Sequence, residues 1–558
     1  MYLKDLIKKE YKILLVILLL FTINSVLFKF KMIDVYTDFG KELFYSQSIA
    51  EGEVLYKDIF VLFGPFSYML NGFFICIFKN SLNTLYLLGL INCFSIIFSL
   101  YFICRNFLSE KFSAAITLFV LYGCCFVPEL NNFITPYSYA MTYGLNACFI
   151  SILLYLSYLK NNSTKLLYFS FLFSGIAATC KYEFLIYVLL ISIFTIIQKE
   201  KKKNFLTALC FLIFIPSLLF TILFASGLSF PEIFEYFTIL FKFSSSSELS
   251  KVYAGTFYFS LEYFIILLKS LLVFIISYSL LFFSIWQTEK RSKKTKIFLY
   301  IFIILITAAF AFFFKTYFMN FVFCWMPIVL TIVFAVKINK IKQNKMLLFL
   351  TLSSLLISLK SYFFLAMNLY GRYFLPLLIT SLIVLLYNSF QKETLKYIFE
   401  KSTVLFLSIL AVLNFSINLQ TLIQKKYKIE TNMIKIYADE QDSKIFNYLT
   451  NYIEKNTKKE NTLVVLPETP FLNYLTGRKS DNYYNYFVPA LLKSYDEKNI
   501  IKHYEKTSPD YFIIFTSPYD ETALCNGYGF AVCGWIKQNY ELLQIVQSNI
   551  LILIFKKI

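Results

Sequence analysis

Residues 38–65, DFGKELFYSQSIAEGEVLYKDIFVLFGP, directly follow the first long apolar segment of the chain, residues 11–30. Their acidic and polar side chains come immediately after a predicted membrane span. A carboxylate at the mouth of a membrane-embedded cavity is costly to keep there, which makes it a functional candidate. Asp38 is the first such candidate, because it follows the predicted span by only a few residues.

The composition excludes an ordinary soluble protein. The 558 residues are 58% hydrophobic and only 16% charged, and the mean hydropathy is +0.63, whereas soluble domains carry roughly 25% charged residues. Apolar runs of about 17 to 25 residues recur between short charged loops, which indicates many transmembrane helices. The lysine-flanked first segment has no small-residue cleavage site and is expected to be retained as a helix.

The formal net charge of +19 reflects membrane topology and not nucleic-acid binding. Lysines cluster between apolar runs, at residues 199–203, 289–296, 337–345 and 392–401. Cytoplasmic loops of membrane proteins carry this excess of positive charge. No nucleic-acid partner is therefore expected.

Placing the basic loops in the cytoplasm predicts about thirteen transmembrane helices. The N-terminus is then cytoplasmic, and residues 31–82 form a long first external loop in which residues 64–78 are a juxtamembrane helix. If residues 64–78 crossed the membrane, the later basic loops would be placed outside. This consistency favours the juxtamembrane interpretation.

Residues 425–558 are predicted to form a small extramembrane α/β domain behind a transmembrane domain of residues 1–424. Helical spacing is expected over residues 432–456 and 491–507. Strands are expected at 462–466 and 511–516, and 542–546 and 550–555 are expected to be a final antiparallel pair. The fold class is thus an α-helical polytopic membrane protein with a small C-terminal α/β extramembrane domain.

Acidic residues in the predicted external loops are the candidates for chemistry. The first loop carries Asp34, Asp38, Glu42, Glu51, Glu53 and Asp58. Such carboxylates can act as a general base, ligate a metal or conduct ions, and the alternative for each is a solvated acidic loop. Asp58, which precedes an apolar run, is the second candidate after Asp38. Glu129 is a third, although a polar turn with Asn131 and Asn132 also explains it.

The motifs of this loop resemble those of the GT-C glycosyltransferases, which use polyprenyl-phosphate-linked sugars. The matching residues are Asp38 and Gly40, then Ala50, Gly52, Tyr56 and Asp58, and then Gly64, Pro65 and Tyr68. The late stretch GRYFLP at residues 371–376 and LPETPFLNYLTGR at residues 466–478 are similar to stretches in the same superfamily. Its members include protein O-mannosyltransferases, lipid A aminoarabinose transferases and uncharacterised bacterial relatives.

The resemblance implies a glycosyltransferase at the external face of a bacterial inner membrane. Asp38 would be the general base that deprotonates the acceptor hydroxyl for a single displacement with inversion. The departing polyprenyl phosphate needs cations, and Lys181 and Arg372, at predicted external helix ends, are the candidates. Lys181 has the alternatives of pairing with Glu183 or reaching the headgroups, and Arg372 has that of capping a helix turn.

The implied donor is a hexose or pentose on a polyprenyl phosphate, and the acceptor is a glycan, lipid or protein. No Cys or His cluster predicts a metal site, so no metal is strictly required, and a divalent cation at the acidic loops stays open. His503 is expected to be exposed and incidental, and Arg478 is expected to lie solvated in a tight turn. Cys525 and Cys533 form a disulfide if an oxidising compartment and their separation permit it.

Two other functions remain as alternatives. A polysaccharide polymerase or ligase relies on basic residues in a large loop between late helices, whereas here the first loop is the long one. A transporter or flippase of lipid-linked sugars would show broken or charged helices in matched halves, and no internal repeat is evident.

Overall fold

The structure is a computed structural model that describes residues 2–128, 130–198, 200–247, 261–362, 371–431, 434–481, 483–484, 486–517, 523–547 and 550–558. Up to residue 424 the described chain is almost entirely helical. Its α-helices are α1 (Tyr2–Leu27), α2 (Asp38–Ala50), α3 (Pro65–Phe78), α4 (Ser81–Arg105), α5 (Glu110–Val120), α6 (Tyr139–Asn161), α7 (Thr164–Cys180), α8 (Leu185–Ile197), α9 (Lys202–Ala225), α10 (Phe230–Ser244), α11 (Leu261–Thr288), α12 (Lys293–Phe313), α13 (Lys315–Asn320), α14 (Met326–Ile341), α15 (Lys345–Ile357), α16 (Gly371–Ser389) and α17 (Glu393–Gln424).

The long helices confirm a polytopic membrane protein. Among the described residues, nine helices are long and apolar enough to cross a membrane, and four shorter apolar helices accompany them. The apolar run at residues 112–127 forms the end of α5 and the π-helical turn Leu121–Cys125 that follows it. The predicted juxtamembrane segment forms α3, of 14 residues.

Residues 425–558, here termed the C-terminal region, carry all the strands described. They are β1 (Tyr427–Glu430), β2 (Lys435–Ala438), β3 (Leu463–Leu466), β4 (Tyr511–Thr516), β5 (Tyr540–Gln547) and β6 (Leu551–Lys557). The helices are α18 (Glu440–Asn456), α19 (Phe471–Thr476), α20 (Pro489–Tyr495), α21 (Glu497–Thr507) and α22 (Phe530–Asn539). Strands β1 and β2 form an antiparallel pair, and the other four form a sheet in the order β3-β4-β6-β5, in which only β3 and β4 are parallel.

The four predicted strands of this region are confirmed, and two helix predictions need correction. The helix predicted over residues 491–507 is interrupted at Asp496, whose φ of 69° is left-handed, so α20 and α21 are separate. The segment predicted to be helical from residue 432 contains β2 before α18 begins. In both segments the sequence has helical spacing throughout, but the backbone leaves the helical conformation in one part of the segment.

The loop between α1 and α4 shares its core with the C-terminal region. Phe39 and Leu43 of α2 lie in one apolar cluster with Phe471 and Ile513. Phe44, the next residue along α2, lies in a second cluster with apolar residues of β3 and β4. Because α2 is buried on both of these sides, the loop that carries Asp38 is fixed against the C-terminal sheet.

Candidate active site

Asp38 is the first residue of α2, and the preceding turn fixes its position. The Asp34 side chain accepts hydrogen bonds at Oδ2 from the Thr37 N–H, at 2.9 Å, and from the Asp38 N–H, at 2.8 Å. A carboxylate at this place satisfies free N–H groups of the first helical turn and complements the helix dipole. Asp34 therefore determines where the helix begins, and Asp38 projects from its first turn.

Asp38 belongs to a three-membered ionic chain. Lys41 Nζ lies 3.1 Å from Asp38 Oδ1 and 2.9 Å from Glu468 Oε2, and it lies 3.7 Å from the ring centroid of Tyr486. Burial by itself lowers the pKa of Lys41, but Glu468, Tyr486 and Asp38 together raise it well above its ordinary value. Lys41 thus stays charged and orients the Asp38 carboxylate, which is the most exposed of the three side chains at 25%.

Glu42 is a second acid on the same helix, and it is buried. Its Oε1 accepts a hydrogen bond of 2.9 Å from the Tyr68 hydroxyl, and its Oε2 accepts one of 3.3 Å from the Tyr139 N–H. Burial raises the pKa of Glu42 to about 7, while these hydrogen bonds act in the opposite direction. Since residues four apart lie on one face of a helix, Glu42 is close to Asp38 and can hold or release a proton near neutral pH.

The segment that carries Asp38 is held by the C-terminal region at two further contacts. The Tyr36 hydroxyl donates to Asp442 Oδ1 at 2.6 Å. A Cβ placed on Gly40 would lie 2.6 Å from Phe471 Cβ, so only glycine permits this approach of α2 to α19. Together with the Lys41–Glu468 pair, these contacts make the C-terminal region part of the candidate site.

Lys181 lies in the turn between α7 and the short 3-10 helix Tyr182–Phe184, and it is buried. Its Nζ donates to the Tyr137 hydroxyl at 2.7 Å and lies 3.0 Å from Glu183 Oε1. Lys360 Nζ is 3.6 Å from the other oxygen of Glu183. Burial lowers the pKa of Lys181 to about 8, although Glu183 opposes the shift. The pairing with Glu183 considered from the sequence is therefore present.

Gly64 fixes the first loop against the Lys181 turn. Its N–H donates to the Cys180 carbonyl at 3.0 Å. A Cβ on Gly64 would lie 2.1 Å from the Thr179 carbonyl oxygen, a distance that no side chain tolerates. The Gly64–Pro65 motif is thus explained by close packing, which places the loop directly on the turn that presents Lys181.

Arg372 is the second residue of α16 and is buried, with its guanidinium 5.2 Å from the ring centroid of Phe323. The neighbouring Tyr373 ring lies 5.5 Å from the ring of Tyr137, whose hydroxyl accepts from Lys181. The residue next to Arg372 along the chain therefore contacts Tyr137, the hydrogen-bond partner of Lys181.

The segment before α6 connects these cations with the acidic part of the site. Tyr137 contacts Lys181, and two residues later the Tyr139 N–H donates to Glu42. The segment of residues 137–139 therefore contacts Lys181 at one end and Glu42 at the other.

Asp58 lies elsewhere in the first loop. It is exposed, and its Oδ2 accepts a hydrogen bond of 2.8 Å from the Val54 N–H. No described contact joins it to Asp38, so it stabilises its own turn. Glu129, the other predicted supporting acid, lies outside the described residues.

Glu468 is a residue of the candidate site that the sequence analysis did not predict. It belongs to the LPETPF stretch noted for its family resemblance, and it directly follows the buried strand β3 and Pro467. A charged residue between two prolines at the end of a buried strand was the available signal. Its ionic partner, Lys41, is 427 positions away in the sequence, so no local sequence signal predicts their pairing.

The predictions that Arg478 is solvated and that His503 is exposed are wrong, and the open question of a disulfide between Cys525 and Cys533 is resolved. Arg478 is buried, because its guanidinium donates to Thr457 Oγ1 and to the carbonyls of Thr476 and Thr457. His503 is half-buried, with Nε2 2.7 Å from Asp481 Oδ2. Cys525 and Cys533 are joined by a disulfide.

No metal-binding group is found in the part of the chain that the structure describes. Within it, no three or more His, Cys, Asp or Glu side chains gather in an arrangement that could hold a metal ion. Near Asp38, the carboxylates of Asp38 and Glu468 contact Lys41 instead.

The comparison with solved structures identifies proteins that are similar in fold. No protein-family model and no curated protein sequence matches the chain. It is similar to the oligosaccharyltransferase of Archaeoglobus fulgidus in complex with zinc and sulfate, at 12% identity and a TM-score of 0.50, over 90% of this chain and 68% of that one. It is also similar to ArnT from Cupriavidus metallidurans bound to undecaprenyl phosphate, at 9% identity and a TM-score of 0.50, over 96% and 97% of the two chains.

These findings define an integral multi-pass α-helical membrane protein with an extended C-terminal region. More narrowly, the chain has the GT-C fold, and the resemblance expected from its sequence motifs is confirmed at the level of the fold.

Proposed function

We propose that the protein is a membrane glycosyltransferase that moves a single hexose or pentose from polyprenyl phosphate to a glycan, lipid or protein acceptor. The site would face the outside of the bacterial inner membrane, with the N-terminus in the cytoplasm and the C-terminal region outside. The observation that supports the proposal is a partly exposed Asp38, paired with the buried Lys41, on a GT-C fold that also carries the buried cations Lys181 and Arg372.

In the proposed reaction Asp38 accepts the proton of the acceptor hydroxyl. The acceptor oxygen then forms a bond with the anomeric carbon while the bond from that carbon to the phosphate oxygen breaks, which inverts the configuration. The electron pair of the broken bond leaves with the polyprenyl phosphate. Lys41 orients Asp38 through the ion pair, and Glu468 orients Lys41.

The leaving phosphate gains negative charge as the bond breaks, so cations that are already in place lower the barrier. Lys181 supplies a compact charge, and Arg372 supplies a planar group that can bind two phosphate oxygens. Their burial strengthens both interactions, because fewer water molecules screen them. No metal ion is strictly required for the proposed reaction.

The test is release of polyprenyl phosphate by the purified protein from a panel of polyprenyl-phosphate-linked sugars, each with glycan, lipid and peptide acceptors. Asp38→Asn should lower the rate by about 100-fold or more, because a positioned base contributes about that much. Asp58→Asn is the matched control, since asparagine keeps an oxygen that accepts from the Val54 N–H. An Asp38→Asn protein that is folded and fully active would refute the role of Asp38, and a wild-type protein inactive on the whole panel would refute the function.

A further inference from the structure

Helix α10 exposes a row of four phenylalanines. Phe230, Phe234, Phe237 and Phe241 are 74%, 76%, 44% and 74% exposed. Their spacing of four, three and four residues places them on one face of the helix. A contiguous apolar patch of this kind on a membrane protein marks a contact with lipid or with another apolar surface.

The start of the phenylalanine row lies at the end of a membrane-spanning helix. Helix α9 is a candidate span, and its exposed side chains include Leu218 and Ile222. The ring of Phe224, in the last turn of α9, lies 4.8 Å from the ring of Phe230. The exposed apolar surface of α9 therefore continues into the row, which begins shortly after the candidate span ends along the chain.

The flank of α10 is suited to a membrane surface. Glu235 and Lys242, which share one side of the helix next to the row, are exposed. A helix with a narrow aromatic face and charged flanks binds in the plane of the membrane surface, with its apolar face among the upper acyl chains. The α9–α10 connection permits this change of direction, because Gly227 adopts a left-handed φ of 100° and Ser229 caps α10.

The opposite face of α10 contacts the candidate site. Tyr236 is fully buried, and its ring lies 4.1 Å from that of Tyr56 in the first loop. Its hydroxyl lies 3.1 Å from the hydroxyl of Tyr182, the residue directly after Lys181. One helix therefore contacts the Lys181 turn on one face and presents the phenylalanine row on the other.

We infer that α10 lies in the membrane interface and inserts its phenylalanine row into the upper acyl-chain layer of the bilayer. The continuity with α9 selects the bilayer, and not a protein partner, as the occupant. Because an α-helix with its side chains is about 10 Å across, Tyr182 and the adjacent Lys181 turn are then held at headgroup depth. This last step rests on the proposed function, since headgroup depth is where the phosphate of a polyprenyl donor lies.

Tryptophan quenching by brominated lipids tests the insertion without any activity measurement. Phe234→Trp is compared with Glu235→Trp, its neighbour on the flank, in vesicles of phosphatidylcholine with or without brominated acyl chains. The emission of the parent protein, which has three tryptophans, is subtracted. We expect the added emission of Phe234→Trp to fall about twofold or more in brominated vesicles, and that of Glu235→Trp to fall much less.

Equal quenching at the two positions, or none at either, would overturn the inference. If Phe234→Trp does not fold, Phe241→Trp on the same row replaces it with the same expectation. A protein that shows the quenching difference but no transfer activity would sustain the interfacial helix and contradict the proposed function. The quenching experiment therefore tests the interfacial position of α10 independently of the proposed transfer activity.

Discussion

Replacing Lys41 with methionine tests the ion pairs that join the first loop to the C-terminal region. The side chains of Lys41 and Glu468 are only 9% and 16% exposed, so solvent screens them little. Removing one partner of a buried ion pair costs about 3–5 kcal/mol. Methionine keeps most of the packing of the lysine stem, so we expect a loss of about 3 kcal/mol in the free energy of unfolding, mainly from the stranded carboxylates.

The loss is measured by equilibrium unfolding in mixed micelles. Lys57→Met is the matched control, because Lys57 belongs to the same loop and is exposed. Its effect should stay within about 0.5 kcal/mol. Equal destabilisation by Lys41→Met and Lys57→Met would show that the ionic chain does not hold the loop.

The double variant Lys41→Met with Glu468→Gln separates stability from function. Removing the stranded charge of Glu468 should recover about 1 kcal/mol or more of the lost free energy, since the two residues are in direct contact. Transfer activity should not recover, because Asp38 still lacks the ammonium group that orients it. Activity that returns together with stability would mean that Lys41 acts only on folding.

Three further variants test other parts of the site. Burial raises the pKa of Glu42 from 4.5 to about 7, so the stability that its carboxyl group contributes below pH 4.5 is lost as the pH rises through 7. Glu42→Gln should remove about 3 kcal/mol of this pH dependence from the free energy of unfolding, measured across that range. Lys181→Gln should weaken equilibrium binding of polyprenyl phosphate about 10- to 100-fold, whereas Lys57→Gln should leave it unchanged. Gly64→Ala should lower the free energy of unfolding by about 2 kcal/mol or more, whereas Gly534→Ala, with open space at the Cβ position, should not lower it.

The helical part of the fold follows from the sequence because membrane spans have a local signature. A run of apolar residues of sufficient length is a property of consecutive positions, so α4, α6 and α9 are evident without any tertiary information. Glycine motifs are also local in the sequence, but the contacts that require glycine there come from distant parts of the chain. The Gly64–Pro65 motif was recognised, but the carbonyl that excludes a side chain there belongs to a different helix.

The chemistry of the site depends on contacts that no local pattern encodes. Asp38 was identified from its place after the first span, whereas its connection to Glu468 requires the folded C-terminal region. Arg478 is a second example, because its local turn is predictable from the sequence and its burial is not. Its turn was predicted, and Gly477 does adopt a left-handed φ of 66°, but the carbonyl oxygens that bury its guanidinium come partly from Thr457.

The contact between Lys41 and Glu468 can form only late in the synthesis of the chain. The two residues are 427 positions apart, and at a synthesis rate of roughly 5–20 residues per second the second emerges about 20 to 90 s after the first. During that interval the first helices can already be inserted, while Asp38 and Lys41 lack the surface that fixes them. The site is therefore completed only when the last quarter of the chain has been made, so an unfinished chain in the membrane is expected to be inactive.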